Sequence, residues 1–195
     1  MIKELETYAK EHKVPIMLPN GIDYLCNYIK ENNIKNILEI GSAIGYSAIR
    51  MALISDDIYI TTIERDEERY KEALKNIKKF NLEKRIQVIF GDALETEITG
   101  KFDLIFIDAS KGHSIDFFNR YEPNLTKDGT IITDNLSFHG LVEDETLAIT
   151  KNQKGLVRKI KNFIEFLDNN EKFTTTYINI GDKISITKRN ITSSK

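Results

Sequence analysis

The sequence predicts an α/β protein whose doubly wound, mostly parallel sheet ends in an antiparallel hairpin. Two observations support this fold class. Short apolar segments alternate with segments of helical periodicity over residues 36–133, and two alternating segments, TTTYINI and KISITK, then follow with a turn at Gly181-Asp182 between them. Strands that alternate with helices form right-handed parallel crossovers, whereas two strands joined by a short turn pair antiparallel.

The elements follow one another in a regular order. NILEI is typical of a buried strand, and the glycine-bearing turn GSAIG separates it from the helical segment YSAIRMALIS. The strand IYITTIE and the helix DEERYKEALKNIKKF come next, followed by the strands IQVIF and DLIFI. A helix around SIDFFNRYEPNL leads to the strand TIIT, and a long helix, roughly GLVRKIKNFIEFLD, precedes the hairpin.

Length and composition favour one globular domain over residues 1–195. The chain has 195 residues, of which 41% are hydrophobic and 30% charged, and this is an ordinary globular composition. No apolar run approaches the length of a membrane span, and the start, MIKELETYAK, is too charged for a signal peptide. We therefore expect a cytoplasmic protein with no membrane partner. The single cysteine, Cys26, excludes an internal disulfide.

The net charge of −2 provides no global basic field of the kind that many nucleic-acid binders carry. One segment differs from this average, because it contains five basic residues and no acidic one: Lys151, Lys154, Arg158, Lys159 and Lys161. A solvated helix face and a contact with RNA explain this segment about equally well.

The turn after the first strand, EIGSAIGYS, is the first candidate ligand site. In open parallel sheets, ligands bind beyond the carboxyl ends of the strands. The turn lacks the GxGxxG fingerprint that lets backbone approach a pyrophosphate, so it suits a cofactor without one, such as S-adenosylmethionine. A tight strand-to-helix connection without a ligand is the alternative explanation of the turn.

Two further strand ends support a nucleoside cofactor. Glu64 ends the second strand at about the 20-residue offset from Gly41 at which an acidic side chain accepts hydrogen bonds from ribose hydroxyls. FGDAL closes the third strand, which places Asp92 and Ala93 beside an adenine, with Asp92 as an acceptor for the exocyclic amine. Together with the glycine turn, these residues make cofactor binding the favoured interpretation.

Oxygen donors follow two strands that we expect to be neighbours. Asp108 ends DLIFID, and Asp134 and Asn135 end GTIITDN. Oxygen ligands without His or Cys favour Mg²⁺, Mn²⁺ or Ca²⁺ over zinc. An Asp at a strand end can instead cap the following helix, but two converging carboxylates repel each other unless a cation lies between them. The sequence therefore predicts a divalent metal site at these strand ends.

Lys111 lies just after Asp108, in the loop beyond the predicted metal. A nearby divalent cation disfavours the protonated ammonium, which lets this lysine accept a proton from a hydroxyl bound to the same metal. A surface lysine in a Lys-Gly turn is the alternative. With the metal residues beside it, we predict that Lys111 is the catalytic base. Phe138, which follows the metal pair, is a candidate border of the substrate site.

These segments together resemble the cation-dependent O-methyltransferases of the catechol and caffeoyl-CoA type, and most of all the bacterial tRNA 5-hydroxyuridine methyltransferases. The resemblance runs through HKVPIM, ILEIGSAIGYSAIRMA, TIERDEERYKEALKNI, FGDAL, FIDASKGHSIDFFNRYEPNL, GTIITDNLSFHGLV and IGDKISITK. It implies a Rossmann-like, seven-stranded sheet whose last strands form the antiparallel hairpin. A homodimer is compatible with the resemblance.

The resemblance also implies roles for individual residues. The contacts to S-adenosylmethionine would come from Met17, Gly41, Ser47, Glu64, Asp92, Ala93 and Asp108. Mg²⁺ would be held by Asp108, Asp134 and Asn135, and Lys111 would be the base. Met17 is indicated by the resemblance alone, since a single methionine near a helix start is usually part of the core.

The implied reaction is methyl transfer from S-adenosylmethionine to one of two vicinal oxygens of a substrate. A catechol provides such a pair, and so does 5-hydroxyuracil, whose 5-hydroxyl neighbours the 4-oxo group. We favour the wobble base of a tRNA anticodon loop, because an unpaired base can be splayed into a pocket while basic side chains hold the phosphates. A small catechol-like or hydroxycinnamoyl substrate is the alternative.

Two other function classes are disfavoured. A binding module without catalysis would have no need of the complete set of Asp108, Lys111, Asp134 and Asn135. A dehydrogenase on a similar sheet would be expected to carry the GxGxxG fingerprint, which the first turn lacks.

Overall fold

The computed structural model describes residues 1–148 and 150–190. Its strands are β1 (Asn36–Ile40), β2 (Tyr59–Glu64), β3 (Ile86–Phe90), β4 (Phe102–Ile107), β5 (Leu125–Thr133), β6 (Phe173–Ile178) and β7 (Ile184–Arg189). Its α-helices are α1 (Ile2–Glu11), α2 (Pro19–Glu31), α3 (Tyr46–Ala52), α4 (Glu67–Lys79), α5 (Ser114–Tyr121) and α6 (Lys151–Asp168). Within this part of the chain, no helix is long and apolar enough to cross a bilayer.

The strands form one seven-stranded sheet in the order β3-β2-β1-β4-β5-β7-β6. The first five strands pair in parallel, whereas β7 pairs antiparallel with both β5 and β6. This confirms the predicted doubly wound α/β sheet and its C-terminal antiparallel hairpin. The chain reverses its direction of travel across the sheet between β1 and β4, and that switch point is where an open α/β sheet binds its ligand.

The sheet is buried on both faces, as the unbroken apolar strands predicted. Along β4, Leu104 and Phe106 belong to the core that contains residues of α1, α2 and α3. The alternate residues, Ile105 and Ile107, belong to the core that contains residues of α5 and α6. Because successive side chains of a strand point to opposite faces, one apolar strand contributes to both cores. The ends of β1 and β4 are thereby fixed from both sides.

Some element bounds differ from the prediction. The last helix begins at Lys151 because Thr150 and Gln153 form a capping box, in which each side chain bonds the other residue's backbone N–H. The strand β5 begins at Leu125 rather than Thr130, with a register shift opposite Phe102 and Leu104. The helix α1 was not predicted, since its buried residues are only Leu5 and Ala9 in a highly charged segment.

Candidate active site

A cavity of about 410 Å³ lies at the carboxyl ends of the strands around the switch point. It is lined by every predicted site residue except Asp134, namely Met17, Gly41, Ser47, Glu64, Asp92, Ala93, Asp108, Lys111 and Asn135. Asp134 is buried, and its backbone N–H donates to the carbonyl of Ile107 at 3.3 Å, which holds the end of β5 beside the end of β4. The predicted residues therefore meet at one edge of the sheet.

The glycine turn lets the ends of β1 and β4 approach closely. Gly41 has a left-handed backbone with φ +98, and a Cβ at this position would lie 2.7 Å from the carbonyl oxygen of Asp108. Real side chains do not tolerate such a distance from backbone, so a larger residue would push the two strand ends apart. Glycine at this position thus keeps the predicted cofactor residues close to the predicted metal residues.

Two acidic residues on the cofactor side are held by backbone groups. The two carboxylate oxygens of Glu64 accept hydrogen bonds from the N–H of Ala43 at 2.8 Å and of Asp66 at 2.9 Å. Asp92 accepts from the N–H of Leu94 at 2.8 Å. A carboxylate oxygen can accept more than one hydrogen bond, so both side chains keep acceptor capacity for a ribose or an adenine amine. Their roles toward a cofactor stay predictions.

The predicted metal residues are close together and electrostatically strained. Asp108 accepts a hydrogen bond from the amide nitrogen of Asn135 at 2.9 Å. Burial, and then the charges of Asp134 and Glu39, raise the pKa of Asp108 well above its ordinary value, whereas the charge of Lys111 lowers it. Burial also raises the pKa of Asp134 to about 6. Ionised carboxylates are thus disfavoured here in the absence of a cation.

The donor set fits a hard divalent cation. One carboxylate oxygen of Asp134 is buried without a hydrogen-bond partner among the described residues, and a bound ion would satisfy it. In the same part of the chain, no three His, Cys, Asp or Glu side chains converge as a metal cluster. The predicted set has only two carboxylates, and its third donor is the amide of Asn135. That amide would present its oxygen after a turn about its last side-chain bond.

Lys111 lies in a short 3₁₀ turn, residues 111–113, which begins four residues after Ile107, the last residue of β4. Its charge lowers the pKa of both Asp108 and Asp134, against the burial that raises it. Its Nζ also lies 5.6 Å from the ring centroid of Phe138, and Phe138 lines the cavity. The predicted base and the predicted border of the substrate site are therefore neighbours.

Glu39 is a site residue that the sequence reasoning did not assign. It is fully buried at the end of β1, and its two carboxylate oxygens accept hydrogen bonds from the hydroxyls of Ser47 and, at 2.6 Å, of Thr62. Burial, with a smaller contribution from the charge of Glu64, raises the pKa of Glu39 to about 7. The signal in the sequence was a glutamate inside the apolar strand NILEI.

Glu39 makes the stability of the protein depend on pH. Its pKa rises from 4.5 to about 7 on folding, so between these pH values the folded state binds more protons than the unfolded state, and stability falls as pH rises. At about 1.4 kcal/mol per pKa unit, the loss is about 3 kcal/mol. Replacing Glu39 with Gln removes this loss of stability. As pH rises from 4.5 to 7.5, the unfolding free energy of Glu39→Gln should therefore increase by about 3 kcal/mol relative to that of wild type.

Urea unfolding with EDTA, at several pH values, measures this difference. The exposed Glu95 provides a matched control, and Glu95→Gln is expected to follow the wild-type profile. Parallel profiles for wild type and Glu39→Gln would contradict the assignment of this pH dependence to Glu39.

Comparison with known proteins finds O-methyltransferases as relatives of this chain. A family model described as O-methyltransferase matches residues 1–190. A caffeoyl-CoA O-methyltransferase of Stellaria longipes is 29% identical over 202 residues, which span 96% of this chain and 83% of that protein. A catechol O-methyltransferase of Niastella koreensis is 37% identical over 119 residues, which span 57% of this chain and 53% of that protein.

Solved structures agree with these relatives. A candidate caffeoyl-CoA O-methyltransferase from Staphylococcus aureus is 39% identical with a TM-score of 0.93, and the match covers 97% of this chain and 92% of that one. An O-methyltransferase from Bacillus cereus, crystallised with S-adenosylhomocysteine, is 26% identical with a TM-score of 0.82, and the match covers 97% and 90% of the two chains. The likeness therefore extends over nearly the whole chain.

Proposed function

Since the chain belongs to the O-methyltransferase family and is an S-adenosylmethionine-dependent O-methyltransferase, we propose that it methylates the 5-hydroxyl of 5-hydroxyuridine at the tRNA wobble position, with the help of a divalent cation. The product would be 5-methoxyuridine. A catechol-like or hydroxycinnamoyl molecule is the second candidate substrate, favoured by the caffeoyl-CoA and catechol enzymes among the relatives.

The observation that carries the RNA proposal is the position of the basic face of α6. This face consists of five exposed side chains: Lys151, Lys154, Arg158, Lys159 and Lys161. The opposite face of the helix is buried through Val157, Ile160, Phe163 and Leu167. A helix with one buried face holds the other toward solvent in a fixed orientation, so these charges form a stable surface rather than a mobile tail.

The same helix borders the cavity. Leu156 lines the cavity, and the Nζ of Lys159 would lie 3.1 Å from a Cβ at Gly112, directly after Lys111. Phosphates on either side of a splayed base could therefore reach α6 while the base itself enters the cavity. A cavity of about 410 Å³ is too small for any folded part of a tRNA, so only a splayed base would enter it.

The roles of the chain's own residues follow from this placement. A bound divalent cation would supply Lewis-acid polarisation of two vicinal substrate oxygens, and S-adenosylmethionine would supply the methyl group. Asp108, Asp134 and Asn135 would hold the ion. Lys111 would accept the proton of the substrate hydroxyl at its Nζ, while Phe138 would flank the substrate ring and so keep it oriented.

The decisive experiment compares substrates directly. Purified enzyme with S-adenosylmethionine and Mg²⁺ is given tRNA that carries 5-hydroxyuridine and, separately, catechol and caffeoyl-CoA. Mass spectrometry of the nucleosides is expected to show 5-methoxyuridine at the wobble position. If only catechol or caffeoyl-CoA is methylated, the RNA proposal is wrong and the small-molecule candidate stands.

The basic face gives this experiment an internal check. Replacing Lys151, Lys154 and Lys159 together with Ala removes up to three phosphate contacts, so the slope of log affinity for tRNA against log salt should become shallower by as much as about 3. A control variant with the exposed Lys78, Lys84 and Lys127 replaced by Ala should keep the wild-type slope. If the α6 variant kept the same slope as the control variant and the wild type, tRNA would not contact α6.

A further inference from the structure

The loop after β5 has an unusual backbone. Asn135, Phe138 and His139 are all in the left-handed region, with φ of 67, 50 and 57. Residues other than glycine adopt this region at a cost in free energy, and they keep it only where the surroundings hold them there. Some other part of the protein must therefore fix this loop, which carries Phe138 into the cavity.

The turn between β6 and β7 supplies the contacts. The N–H of Leu136 donates to the carbonyl of Lys183 at 3.0 Å, and the N–H of Ser137 donates to the carbonyl of Asp182 at 2.9 Å. The N–H of His139 donates to a carboxylate oxygen, Oδ1, of Asp182 at 2.7 Å. The first two bonds use backbone carbonyls that any residue provides, but the third requires a side chain of the length of Asp or Asn.

Burial of the Asp182 carboxylate costs free energy. The residue is only 5% exposed, and its second carboxylate oxygen, Oδ2, is buried without a hydrogen-bond partner among the described residues. The imidazole of His139 faces it, with Nδ1 3.8 Å from this Oδ2. A buried, half-satisfied polar group beside an active site indicates a role beyond packing.

We propose that Asp182 is a positioning residue: by binding the amides on both sides of Phe138, it holds the Phe138 ring beside Lys111 and so places the methyl acceptor. Ser137 and His139 flank Phe138 in the chain, and both are bonded to Asp182. The ring centroid of Phe138 is 5.6 Å from the Nζ of Lys111. This role rests on the proposed function only in that an acceptor binds beside Phe138, and it is the same for RNA and for a catechol.

Two substitutions at the same position test the proposal. Asp182→Asn keeps an oxygen for the His139 amide, whereas Asp182→Ala removes it. Because a hydrogen bond to a charged acceptor is worth about 10-fold or more in an equilibrium constant, we expect Asp182→Ala to raise the KM for the acceptor about 10-fold or more. Asp182→Asn should raise it by no more than about 3-fold. The Kd for S-adenosylmethionine should not change in either variant.

Amide hydrogen exchange gives a readout that does not depend on activity. In Asp182→Ala the His139 amide should lose protection, while in Asp182→Asn it should keep it. Asp182→Ser, whose side chain is too short to reach this amide, is measured beside Asp182→Ala and should behave in the same way. Asp144, an exposed aspartate in the same region that accepts a backbone hydrogen bond from Thr146, provides the control Asp144→Ala, with no change in KM.

The KM is measured with both 5-hydroxyuridine tRNA and catechol, so that failure of the RNA proposal leaves this test intact. Equal acceptor KM values for wild type and both short-chain variants, Asp182→Ala and Asp182→Ser, would overturn the positioning role. So would a loss of affinity for S-adenosylmethionine as large as the loss for the acceptor, since that would indicate general damage to the fold.

Discussion

Replacement of Asp134 with Ala is expected to lower the rate of methyl transfer by roughly 10²–10³-fold, because a catalytic metal supplies several kcal/mol of transition-state stabilisation. The same change should leave the unfolding free energy of the metal-free protein unchanged or higher. Few substitutions at buried positions combine these two outcomes, since loss of a buried side chain usually destabilises a protein.

The stability part follows from the environment of the carboxylate. Burial raises the pKa of Asp134 to about 6 from an ordinary 3.8, and one of its oxygens has no hydrogen-bond partner among the described residues. Above pH 6 the side chain is ionised in both the folded and the unfolded state, and the folded state bears the cost of the buried charge. Alanine removes that cost, which offsets the small cavity it leaves.

Three measurements separate this explanation from others. Calorimetric titration with Mg²⁺ or Mn²⁺ should show loss of binding, steady-state kinetics should show loss of turnover, and urea unfolding with EDTA should show retained stability. Asp128 is exposed and lies near the start of β5, at the other end of the strand from Asp134. Asp128→Ala should change none of the three measured quantities. An Asp134→Ala enzyme that still needs Mg²⁺ and turns over at the wild-type rate would place the metal elsewhere.

The sequence predicted correctly that Asp108 and Asp134 lie close together, because the relevant signals are local. Asp108 and Asp134 each end an apolar strand, and parallel strands that are neighbours bring such ends together. The register places Ile107 opposite Thr133, so the residues that follow these two are adjacent by necessity. Prediction of this proximity required only the strand ends and their order in the sheet.

The buried glutamate could not be assigned in the same way. The bond between Glu39 and Thr62 depends on the register of β1 and β2, which pairs these two residues directly. A sequence pattern shows that both strands are buried but not which residues are opposite each other. The hydroxyl of Ser47, predicted to contact the cofactor, is likewise directed to Glu39 by the position of α3.

The Asp182 contacts and the position of α6 were beyond the reach of the sequence for a related reason. The loop after β5 meets the turn after β6 only because β7 is inserted between β5 and β6 in the sheet. The hairpin itself was predicted, but its insertion beside β5 was not specified by any local signal. The basic residues of α6 were also visible in the sequence, whereas their place at the cavity border depends on how the helix packs.

Replacement of Lys111 with Ala is expected to lower kcat by roughly 10²–10⁴-fold, the usual contribution of a general base, without weakening metal binding. The charge of Lys111 acts on both Asp108 and Asp134, and this charge competes with a cation for the same carboxylates. Its removal should therefore leave the affinity for Mg²⁺ unchanged or make it tighter. Loss of turnover with retained metal binding would show that Lys111 acts on the reaction and not on the binding of the metal.

Lys111→Arg tests the remaining alternative, that the lysine acts only through its positive charge. Arginine keeps the charge but cannot accept a proton at neutral pH, so its kcat should remain as low as that of Lys111→Ala. Lys127→Ala, at an exposed position of β5, serves as the control with wild-type kinetics. A Lys111→Arg enzyme with nearly the wild-type kcat would show that proton transfer goes to another group, and Lys111 would then be an electrostatic residue of the acceptor site.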